Sequence, residues 1–506
     1  MMQGIIAGAG LFAQPNTEYF PFLQTFTQVS SKTDFDPLGV ELLNEPFTAD
    51  TGQLQITSEG SPGVVTFTGG NLTVAHTGLK NTIVRTGPDV AAPVRWFEIN
   101  VVSRTTLGSG YNNVGVGMAK DANNFIFASF DQRANIRRVQ VKIAGSNVFY
   151  ASAAYTFPAS AKIALSLVMN SASVWVDSGT GWQCLVTHQI PTSQVNLKAL
   201  DLTGWRASFT VAASDTVTWV FDNLKSGIFG GVGVRDMTLV TDAEGNAVSF
   251  SGKYRFTATS TCPVGTGYNS VWEYNPSDYS IAMIGSILTN RGGARQNDLN
   301  AHIVRNADLT YRVVSASWGN GFGGVLQCYH KNSVGDIMTG EAYINSPDFL
   351  TLPLIPGTGS GGAYDPYLVY NVDRWVLAYA VVDRTDFVGE NFYIACAQTT
   401  DFVTFTGIGS DPSRTKVEGP KICKSNSQFF IYGGGRGVQP AYNLAMSYVG
   451  DPDFSPALYN GTDTQPHVMT FPHGSSYHCL TWNQVRYGSA PFTWGDFLVY
   501  TAPRYV

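Results

Sequence analysis

The sequence of 506 residues contains little charge. Asp, Glu, Lys and Arg together make up 13% of it, about half of the roughly 25% that is typical of soluble proteins. The net charge is −6, and no run of Lys and Arg occurs along the chain. Because binding to a phosphate backbone requires clustered cations, this composition argues against nucleic acid as a partner.

Long apolar segments and regular cysteine patterns are also missing. No run of 18 apolar residues is present, which argues against a membrane-spanning helix. The six cysteines are scattered without C-x-x-C spacing, so the sequence predicts neither a zinc site nor a disulfide scaffold. We expect free thiols, most of them buried.

The first 35 residues lack the basic segment that begins an export signal, since the first cation is Lys32. Residues 1–35 nevertheless contain six aromatic residues and few charges, whereas a disordered tail has few aromatic residues and more charge. We predict that they form an assembly arm that packs onto neighbouring subunits. A flexible tail is the alternative.

Glycine, aromatic residues and short alternating runs are abundant. The chain contains 53 Gly, and aromatic residues make up 13%. In residues 36–230 apolar and polar residues alternate in many short runs, for example residues 96–104 and 162–170, separated by turn residues. This pattern predicts a sandwich of two antiparallel sheets. Residues 218–227 also resemble the last strand of laminin-G or concanavalin-like jelly rolls.

Residues 231–506 contain a fivefold repeat. Five strand-like segments recur every 48 to 64 residues, and a shorter apolar run precedes each of them; the segments begin at Lys253, Thr310, Arg374, Gln428 and Ser476. A repeat of this length with about four short strands is typical of a propeller blade. The sequence therefore predicts an all-β chain in which a five-bladed β-propeller follows the sandwich. We also expect the propeller to fold alone as residues 229–506.

Ionisable residues open the predicted inner strand of each blade. Taken blade by blade, they are Asp236, His302, Asp365, Glu418 and His467. Inner strands line the central channel, so these side chains should converge on one face of the disc. Convergent ionisable groups in a concavity indicate a functional site.

Three of the motifs together resemble a known family. VRDMTLV with GKYRFTATS, AYDPYLVYNVDRWVLAY and EGPKICKSNSQFFIYGGG are similar to glycoside hydrolase family 43 and its five-bladed relatives. In that family an Asp opens blade one, Asp-Pro opens blade three and Glu-Gly-Pro opens blade four. The resemblance covers residues 231–506 and departs in blade one, where Met237 replaces the usual proline.

The resemblance implies a role for each carboxylate. Asp236 matches the general base that activates water, Glu418 matches the general acid, and Asp365 matches the residue that orients the acid and tunes its pKa. An inverting glycosidase requires this base and acid about 6.5–9.5 Å apart. A nearby like charge helps the acid to keep its proton.

Four further residues are candidates for substrate binding. His302 and His467 would line the channel, Trp318 would stack on a sugar ring, and Arg436 would bind sugar hydroxyls through its guanidinium. Packing roles are the alternative for each. The resemblance implies no cofactor and no catalytic metal; a structural calcium ion near the channel stays open as an alternative.

Two classes of function follow from these patterns. The first is a glycoside hydrolase acting on arabinan- or arabinogalactan-type furanosides or pentosides. The second is a virion protein, such as a phage minor tail protein, that binds host-surface polysaccharide and assembles with other tail subunits through residues 1–35 as a homo-oligomer. The two can coexist. A non-catalytic adhesin and a free extracellular bacterial enzyme are the alternatives.

Overall fold

The structure is a computed structural model. It describes residues 26–33, 35–49, 52–105, 110–318, 326–353, 362–382, 392–425, 428–435, 439–451, 467–483 and 495–504. Every regular element longer than one turn in these residues is a β-strand, which confirms the prediction of an all-β chain. No helix in the described residues could cross a membrane.

The first 16 strands precede residue 230. They are β1 (Thr27–Lys32), β2 (Leu38–Glu45), β3 (Gln55–Thr57), β4 (Val64–Thr68), β5 (Asn71–His76), β6 (Lys80–Asp89), β7 (Val94–Arg104), β8 (Asn112–Asp121), β9 (Asn124–Asp131), β10 (Ile136–Ile143), β11 (Ser146–Ala154), β12 (Ala161–Val168), β13 (Ser171–Asp177), β14 (Gln183–Gln189), β15 (Arg206–Ala213) and β16 (Val217–Phe229).

Strands β2 to β16 form two facing sheets. One has the order β11-β10-β9-β8-β15-β6-β3, and the other has the order β14-β13-β12-β7-β16-β5-β4 with β2 added to β16. Alternate residues point inward, as in β12, where Ile163, Leu165 and Leu167 are fully buried. These side chains share one core with residues of the facing sheet. The predicted two-sheet sandwich is therefore present.

The remaining strands follow residue 233. They are β17 (Val234–Leu239), β18 (Thr241–Asp242), β19 (Ser249–Phe250), β20 (Lys253–Thr261), β21 (Gly267–Tyr274), β22 (Ile281–Arg291), β23 (Ala294–Gln296), β24 (Leu299–Arg305), β25 (Tyr311–Ala316), β26 (Cys328–Val334), β27 (Gly340–Asn345), β28 (Asp348–Phe349), β29 (Gly362–Asn371), β30 (Arg374–Val382), β31 (Phe392–Thr399), β32 (Thr406–Ser410), β33 (Val417–Ser425), β34 (Gln428–Gly435), β35 (Ala441–Asn443), β36 (Tyr448–Gly450), β37 (Met469–His473), β38 (Ser476–Trp482) and β39 (Phe497–Pro503).

These strands form five successive sheets, each built around four strands. The sheets have the orders β17-β20-β21-β22, β24-β25-β26-β28, β29-β30-β31-β32, β33-β34-β35-β36 and β37-β38-β39-β1. The first strands of successive sheets contact each other, and β37 contacts β17. The five sheets therefore close into a ring, and the predicted five-bladed arrangement is confirmed with its inner strands at β17, β24, β29, β33 and β37.

The fifth blade takes its outer strand from the other end of the chain. Strand β1 pairs antiparallel with β39, from Thr27 opposite Thr501 to Lys32 opposite Phe497. Phe26, which precedes β1, is 1% exposed and packs in a core shared by blades four and five. The described part of the predicted arm is thus a propeller strand, because a four-stranded blade needs a partner for β39. Residues 1–25 lie outside the described residues.

The sandwich and the propeller share a core. Trp96 and Phe229 of the sandwich belong to the same buried cluster as Trp272 of blade one. Arg95 forms a buried ion pair of 2.7 Å with Glu341 beside this cluster. The sequence predicted that residues 229–506 fold alone. That fragment lacks β1 of blade five and exposes the apolar face that packs on the sandwich, so the structure favours the opposite expectation.

The cysteines are as the sequence predicts. All six are free, and five of them are buried, whereas Cys184 is exposed.

Candidate active site

The inner strands of blades one to four carry the same irregularity. In each of them the pairing with the second strand skips two residues, so that two residues oppose one across the ladder. The first residue of each bulge has a positive φ: Asp236 (58°), Asn300 (52°), Asp365 (52°) and Gly419 (58°). Such bulges re-aim side chains at the rim of a sheet. Asp, Asn and Gly are the residues that most readily adopt this conformation.

The bulges correct the sequence alignment of the blades. In blade two the position equivalent to Asp236 is Asn300, and His302 lies two residues further along β24. In blade four the equivalent position is Gly419, and Glu418 stands one residue before it. The sequence placed His302 and Glu418 at the same point as Asp236 because a periodic pattern does not reveal where a strand takes an extra residue.

Asp236 and Glu418 are bridged by one guanidinium. Arg235 Nε donates a hydrogen bond of 2.9 Å to Asp236 Oδ1, and its Nη2 donates one of 3.3 Å to Glu418 Oε1. Both carboxylates are buried. The structure therefore brings the predicted base of blade one and the predicted acid of blade four to two nitrogens of a single guanidinium.

Blade three supplies the groups on the other side of Glu418. The Tyr364 hydroxyl donates a hydrogen bond of 3.0 Å to Glu418 Oε2. Its ring meets Trp318 edge to face, with the centroids 5.5 Å apart. Asp365, the next residue, is 4% exposed, and it interacts electrostatically with Asp236 and Glu418. All three predicted carboxylates thus belong to one cluster.

His467 approaches both bridged carboxylates from blade five. Its Nδ1 lies 3.4 Å from Asp236 Oδ1, and its Nε2 lies 4.0 Å from Glu418 Oε1. Neither ring nitrogen has a hydrogen-bond partner in the part of the chain that the structure describes. A Cβ added to Gly419 would overlap this imidazole, so the ring lies directly against the bulge of blade four.

Gly419→Ala is expected to destabilise the protein by roughly 2 kcal/mol or more, because a positive φ costs an L-residue about 1–2 kcal/mol and the new methyl group would displace His467. Chemical denaturation measures the free energy of unfolding. Gly292→Ala is the matched control, since Gly292 has φ 59° and a Cβ there meets nothing within 4 Å. Equal losses in the two variants would contradict the packing of His467 on Gly419.

A buried lysine lies at the centre of the ring. Lys421, two residues beyond Gly419 on β33, is 1% exposed. Its Nζ donates hydrogen bonds to Thr238 Oγ1 at 2.7 Å and to Asn300 Oδ1 at 3.1 Å. Because Thr238 lies in blade one and Asn300 in blade two, this side chain crosses the centre of the ring and joins three blades.

His302 has both ring nitrogens occupied. Its Nδ1 accepts a hydrogen bond of 3.0 Å from the backbone N–H of Leu368, so the neutral ring carries its proton on Nε2, which lies 3.1 Å from Thr241 Oγ1. The ring is fully buried and stacks on Tyr367 with the centroids 3.7 Å apart. These contacts are those of a histidine that packs between the inner strands, and they differ from the substrate contact that the sequence predicted for His302.

Burial shifts the pKa of two of the three carboxylates. It raises the pKa of Asp365, and Asp236 and Glu418 raise it further because they carry like charge. Burial also raises the pKa of Glu418; Arg235 opposes this rise, and Asp236 adds to it. The like charge that acts most strongly on Glu418 is thus Asp236, whereas the sequence pointed to Asp365.

Burial and nearby charges shift the pKa values of the basic groups of the cluster in different directions. Burial lowers the pKa of Arg235, but the pKa is raised overall because Asp236 and Glu418 outweigh burial. Burial lowers the pKa of Lys421, and Asp365 opposes this. Burial lowers the pKa of His467 well below its usual value, and both cations lower it further. His467 is therefore neutral at pH 7.

The charges do not balance when every carboxylate is ionised. Asp236, Asp365 and Glu418 contribute three negative charges, whereas Arg235 and Lys421 contribute two positive charges. Leaving a net charge in a buried site is costly. Among the described residues this cluster is therefore neutral when it holds one proton, and burial raises the pKa of both Asp365 and Glu418.

The other predicted binding residues differ in their placement. Trp318 contacts Tyr364 as described above and is partly exposed. Arg436 lies outside the described residues. No group of three or more His, Cys, Asp and Glu side chains in the described ranges is arranged to hold a metal ion.

Four members of the cluster were not predicted from the sequence: Arg235, Asn300, Tyr364 and Lys421. Each lies within two residues of a bulge position. One sequence signal could have identified them. Each is, or lies next to or two residues from, an Asp, Asn or Gly near the start of an inner strand, and these residue types tolerate a positive φ. Sequence reasoning searched that point for carboxylates and imidazoles and passed over its neighbours.

No family model matches the chain, and no curated protein matches its sequence. Among solved structures it is similar to a mutant Bacillus megaterium levansucrase, with 12% identity over 54% of this chain and 84% of that one and a TM-score of 0.36. It is also similar to Bacillus subtilis levansucrase, with 11% identity over 54% and 86% of the two chains and a TM-score of 0.37. Identity and TM-score are both low, so this similarity does not define an activity for the chain.

Proposed function

We propose that the protein is a glycoside hydrolase whose active site is the cluster around Asp236, Asp365 and Glu418. The observation that supports this most directly is the bridge from Arg235 to Asp236 and Glu418. It brings together carboxylates from blades one and four, and the negative charges of both act on a third carboxylate, Asp365 of blade three. Packing alone gives no reason to bury three acids at the centre of a ring, because each ionised carboxylate loses its hydration.

The chemistry assigns one step to each of two carboxylates. A water molecule attacks the anomeric carbon while Asp236 takes up a proton from that water. The bond between the anomeric carbon and the leaving oxygen breaks while Glu418 donates a proton to that oxygen. Tyr364, which donates a hydrogen bond to Glu418, holds the carboxyl group in position during this transfer. Inversion of the anomeric configuration, which the family resemblance implies, stays a prediction, and NMR of the first product would check it.

Asp365 would act as the proton reserve of the site. Its pKa is raised by burial and by the negative charges of Asp236 and Glu418, so it would hold a proton that the reaction can use. A proton on Asp365 at rest leaves Arg235 paired with Asp236 and Glu418. Binding of a sugar that displaces Arg235 from Glu418 would then favour transfer of the proton to Glu418, because burial raises the pKa of Glu418 and the guanidinium opposes that rise.

The substrate is proposed to be a cell-surface or cell-wall polysaccharide. Arabinan- and arabinogalactan-type furanosides or pentosides follow from the family resemblance alone. Trp318 borders the cluster through Tyr364 and would stack on one sugar ring. Location in a virion tail is a further proposal, with contacts to other subunits through the part of the predicted arm, residues 1–35, that precedes β1; mass spectrometry of purified virions would test it. A structural calcium ion stays a prediction as well.

A binding site without hydrolysis is the second candidate, and burial is the observation that favours it. Asp236 and Glu418 are 5% and 7% exposed, and Arg235 forms an ion pair with each of them. Such a buried ion-pair network would hold the inner strands rigidly in place, and the outer surface of the propeller would then bind glycan as in an adhesin. In that case the protein would bind glycan and release no product.

Reducing-sugar release from a panel of cell-wall polysaccharides separates the two candidates. We expect the parent protein to release reducing ends from at least one furanose- or pentose-containing polymer, and Asp236→Asn to release none. Binding of the same polymer, measured by affinity electrophoresis, should persist in Asp236→Asn. Binding without release by the parent protein would support the adhesin and reject the hydrolase.

A further inference from the structure

A cleft lies at the junction of the sandwich and blade one. It is lined by residues 198–201, in the connection between β14 and β15, by residues 290–295, where β22 turns into β23, and by Tyr343 of β27. Its volume of about 600 Å³ lies in the range of roughly 300–1,000 Å³ that is typical of small-molecule sites. β20 and β21 separate β22 from the inner strand β17, so the cleft is distinct from the candidate active site.

Hydrogen bonds between the sandwich and the propeller hold the walls of this cleft together. The backbone N–H of Arg295 donates a hydrogen bond of 2.8 Å to the carbonyl oxygen of Lys198, and Arg295 Nη1 donates one of 2.7 Å to that of Leu200. The Tyr343 hydroxyl donates one of 2.7 Å to the carbonyl oxygen of Ala91. The cleft is therefore formed before a ligand enters, and binding requires little ordering of the protein.

The charged groups around the cleft leave one positive charge. Its lining contains three cations, which are Lys198, Arg291 and Arg295. Two carboxylates oppose them: Asp201 in the lining, and Asp298, which accepts hydrogen bonds of 2.8 and 2.6 Å from Arg291. Arg95 and Glu341 form an ion pair of their own at 2.7 Å and do not change this balance. The excess is cationic although the whole chain has a net charge of −6.

Arg295 carries the charge that no carboxylate balances. Arg291 is paired with Asp298, whereas Arg295 forms no ion pair in the part of the chain that the structure describes. Its guanidinium donates to the neutral carbonyl of Leu200. A guanidinium has five N–H donors in one plane, and their geometry matches that of a carboxylate. The cleft therefore presents a cation that is suited to an anionic ligand.

We propose that this cleft binds a saccharide that carries a carboxylate, such as a hexuronate unit of an acidic polysaccharide. Arg295 would bind the carboxylate through parallel hydrogen bonds, and Tyr343 would pack against the sugar ring. The single excess positive charge matches one carboxylate, whereas a phosphate monoester carries about −1.5 to −2 charge at pH 7. That a sugar carries the carboxylate rests on the proposed function, but binding of a carboxylate in the cleft does not.

Isothermal titration calorimetry of the parent protein with trigalacturonate and with its methyl ester tests the need for the charge. The ester keeps the sugar rings, and we expect it to bind at least about tenfold more weakly, because hydrogen bonds to charged groups are roughly twice as strong as neutral ones. Absence of trigalacturonate binding, or equal binding of the ester, would overturn the proposal. Acetate or inorganic phosphate that binds as tightly as trigalacturonate would also overturn it.

Charge variants assign the binding to the cleft. Arg295→Gln removes the charge and can still donate to the carbonyl of Leu200, so trigalacturonate should bind at least about tenfold more weakly. Arg374→Gln is the matched control, since Arg374 is an exposed arginine of blade three and should not affect the affinity. Equal losses in the two variants, or no loss in Arg295→Gln, would contradict binding in the cleft.

Asp201→Asn tests the cleft with the opposite sign, and it covers the case in which Arg295→Gln does not fold. Asparagine can still accept the hydrogen bond from the backbone N–H of Thr203, but the lining loses its carboxylate, so trigalacturonate should bind more tightly. Unchanged or weaker binding would count against the proposal.

Binding at the candidate active site is distinguished by a further variant. Trp318→Ala removes the ring that packs on Tyr364 and should leave the affinity for trigalacturonate unchanged. Loss of binding in Trp318→Ala but not in Arg295→Gln would locate the ligand at the active site and overturn the proposal. Binding that depends on Arg295 in a protein that cleaves no glycan would support the cleft and reject only the hydrolase function.

Discussion

Glu418→Gln is expected to slow cleavage of polysaccharide by about 10²–10⁴-fold, because general acid catalysis typically contributes that much. Glutamine keeps the size of the side chain and can accept the hydrogen bond from Tyr364, but it carries no proton for the leaving oxygen. Aryl glycosides with acidic leaving groups need little protonation, so their cleavage should fall far less. Steady-state kinetics on both substrate types measures this difference.

Asp236→Asn should affect the two substrate types equally, because activation of water is needed for each. The contrast between the variants assigns acid and base independently of the absolute rates. Glu244→Gln is the control, since Glu244 is an exposed carboxylate of the same propeller and should change neither rate. Cleavage of polysaccharide by Glu418→Gln at the parent rate would show that another group is the acid.

Removal of β1 is expected to abolish cooperative folding of the propeller. A chain that begins at residue 34 leaves the outer edge of β39 without its partner strand, although β39 stays paired with β38, and it also removes the buried Phe26 side chain. Each lost hydrogen bond costs about 0.5–1.5 kcal/mol, and loss of a buried Phe costs about 3–5 kcal/mol. The sum is comparable with the entire stability of a domain, roughly 5–15 kcal/mol. Circular dichroism with thermal unfolding measures the outcome.

Graded variants keep this prediction testable if the truncated chain is insoluble. Phe26→Ala should destabilise by about 3 kcal/mol or more, whereas Val29→Ala, at a side chain that is 38% exposed, should have little effect. A chain that begins at residue 26 retains β1 and should fold. Independent cooperative folding of residues 229–506 would show that the fifth blade closes without β1.

The sequence by itself determined the strands and their grouping. Alternation of apolar and polar residues depends only on neighbours along the chain, so it predicted the sandwich in residues 36–230 and the paired strands of each blade, such as β33 and β34 in blade four. The same local signal located three carboxylates near the start of inner strands. In a closed ring of blades the inner strands converge on the central channel. The sequence therefore identified the three carboxylates of the cluster, Asp236, Asp365 and Glu418.

Only the tertiary structure decided how these groups are partnered. Arg235 reaches Glu418 across 183 positions of sequence, and Lys421 reaches Thr238 across the same interval. β1 meets β39 from the opposite end of the chain. Such contacts depend on closure of the ring, which no local pattern encodes. The positions of the bulges also depend on tertiary structure, because only the pairing with a second strand defines which residue is the extra one. The position of the bulge in turn decides whether a side chain such as His302 faces the carboxylates or packs beside them.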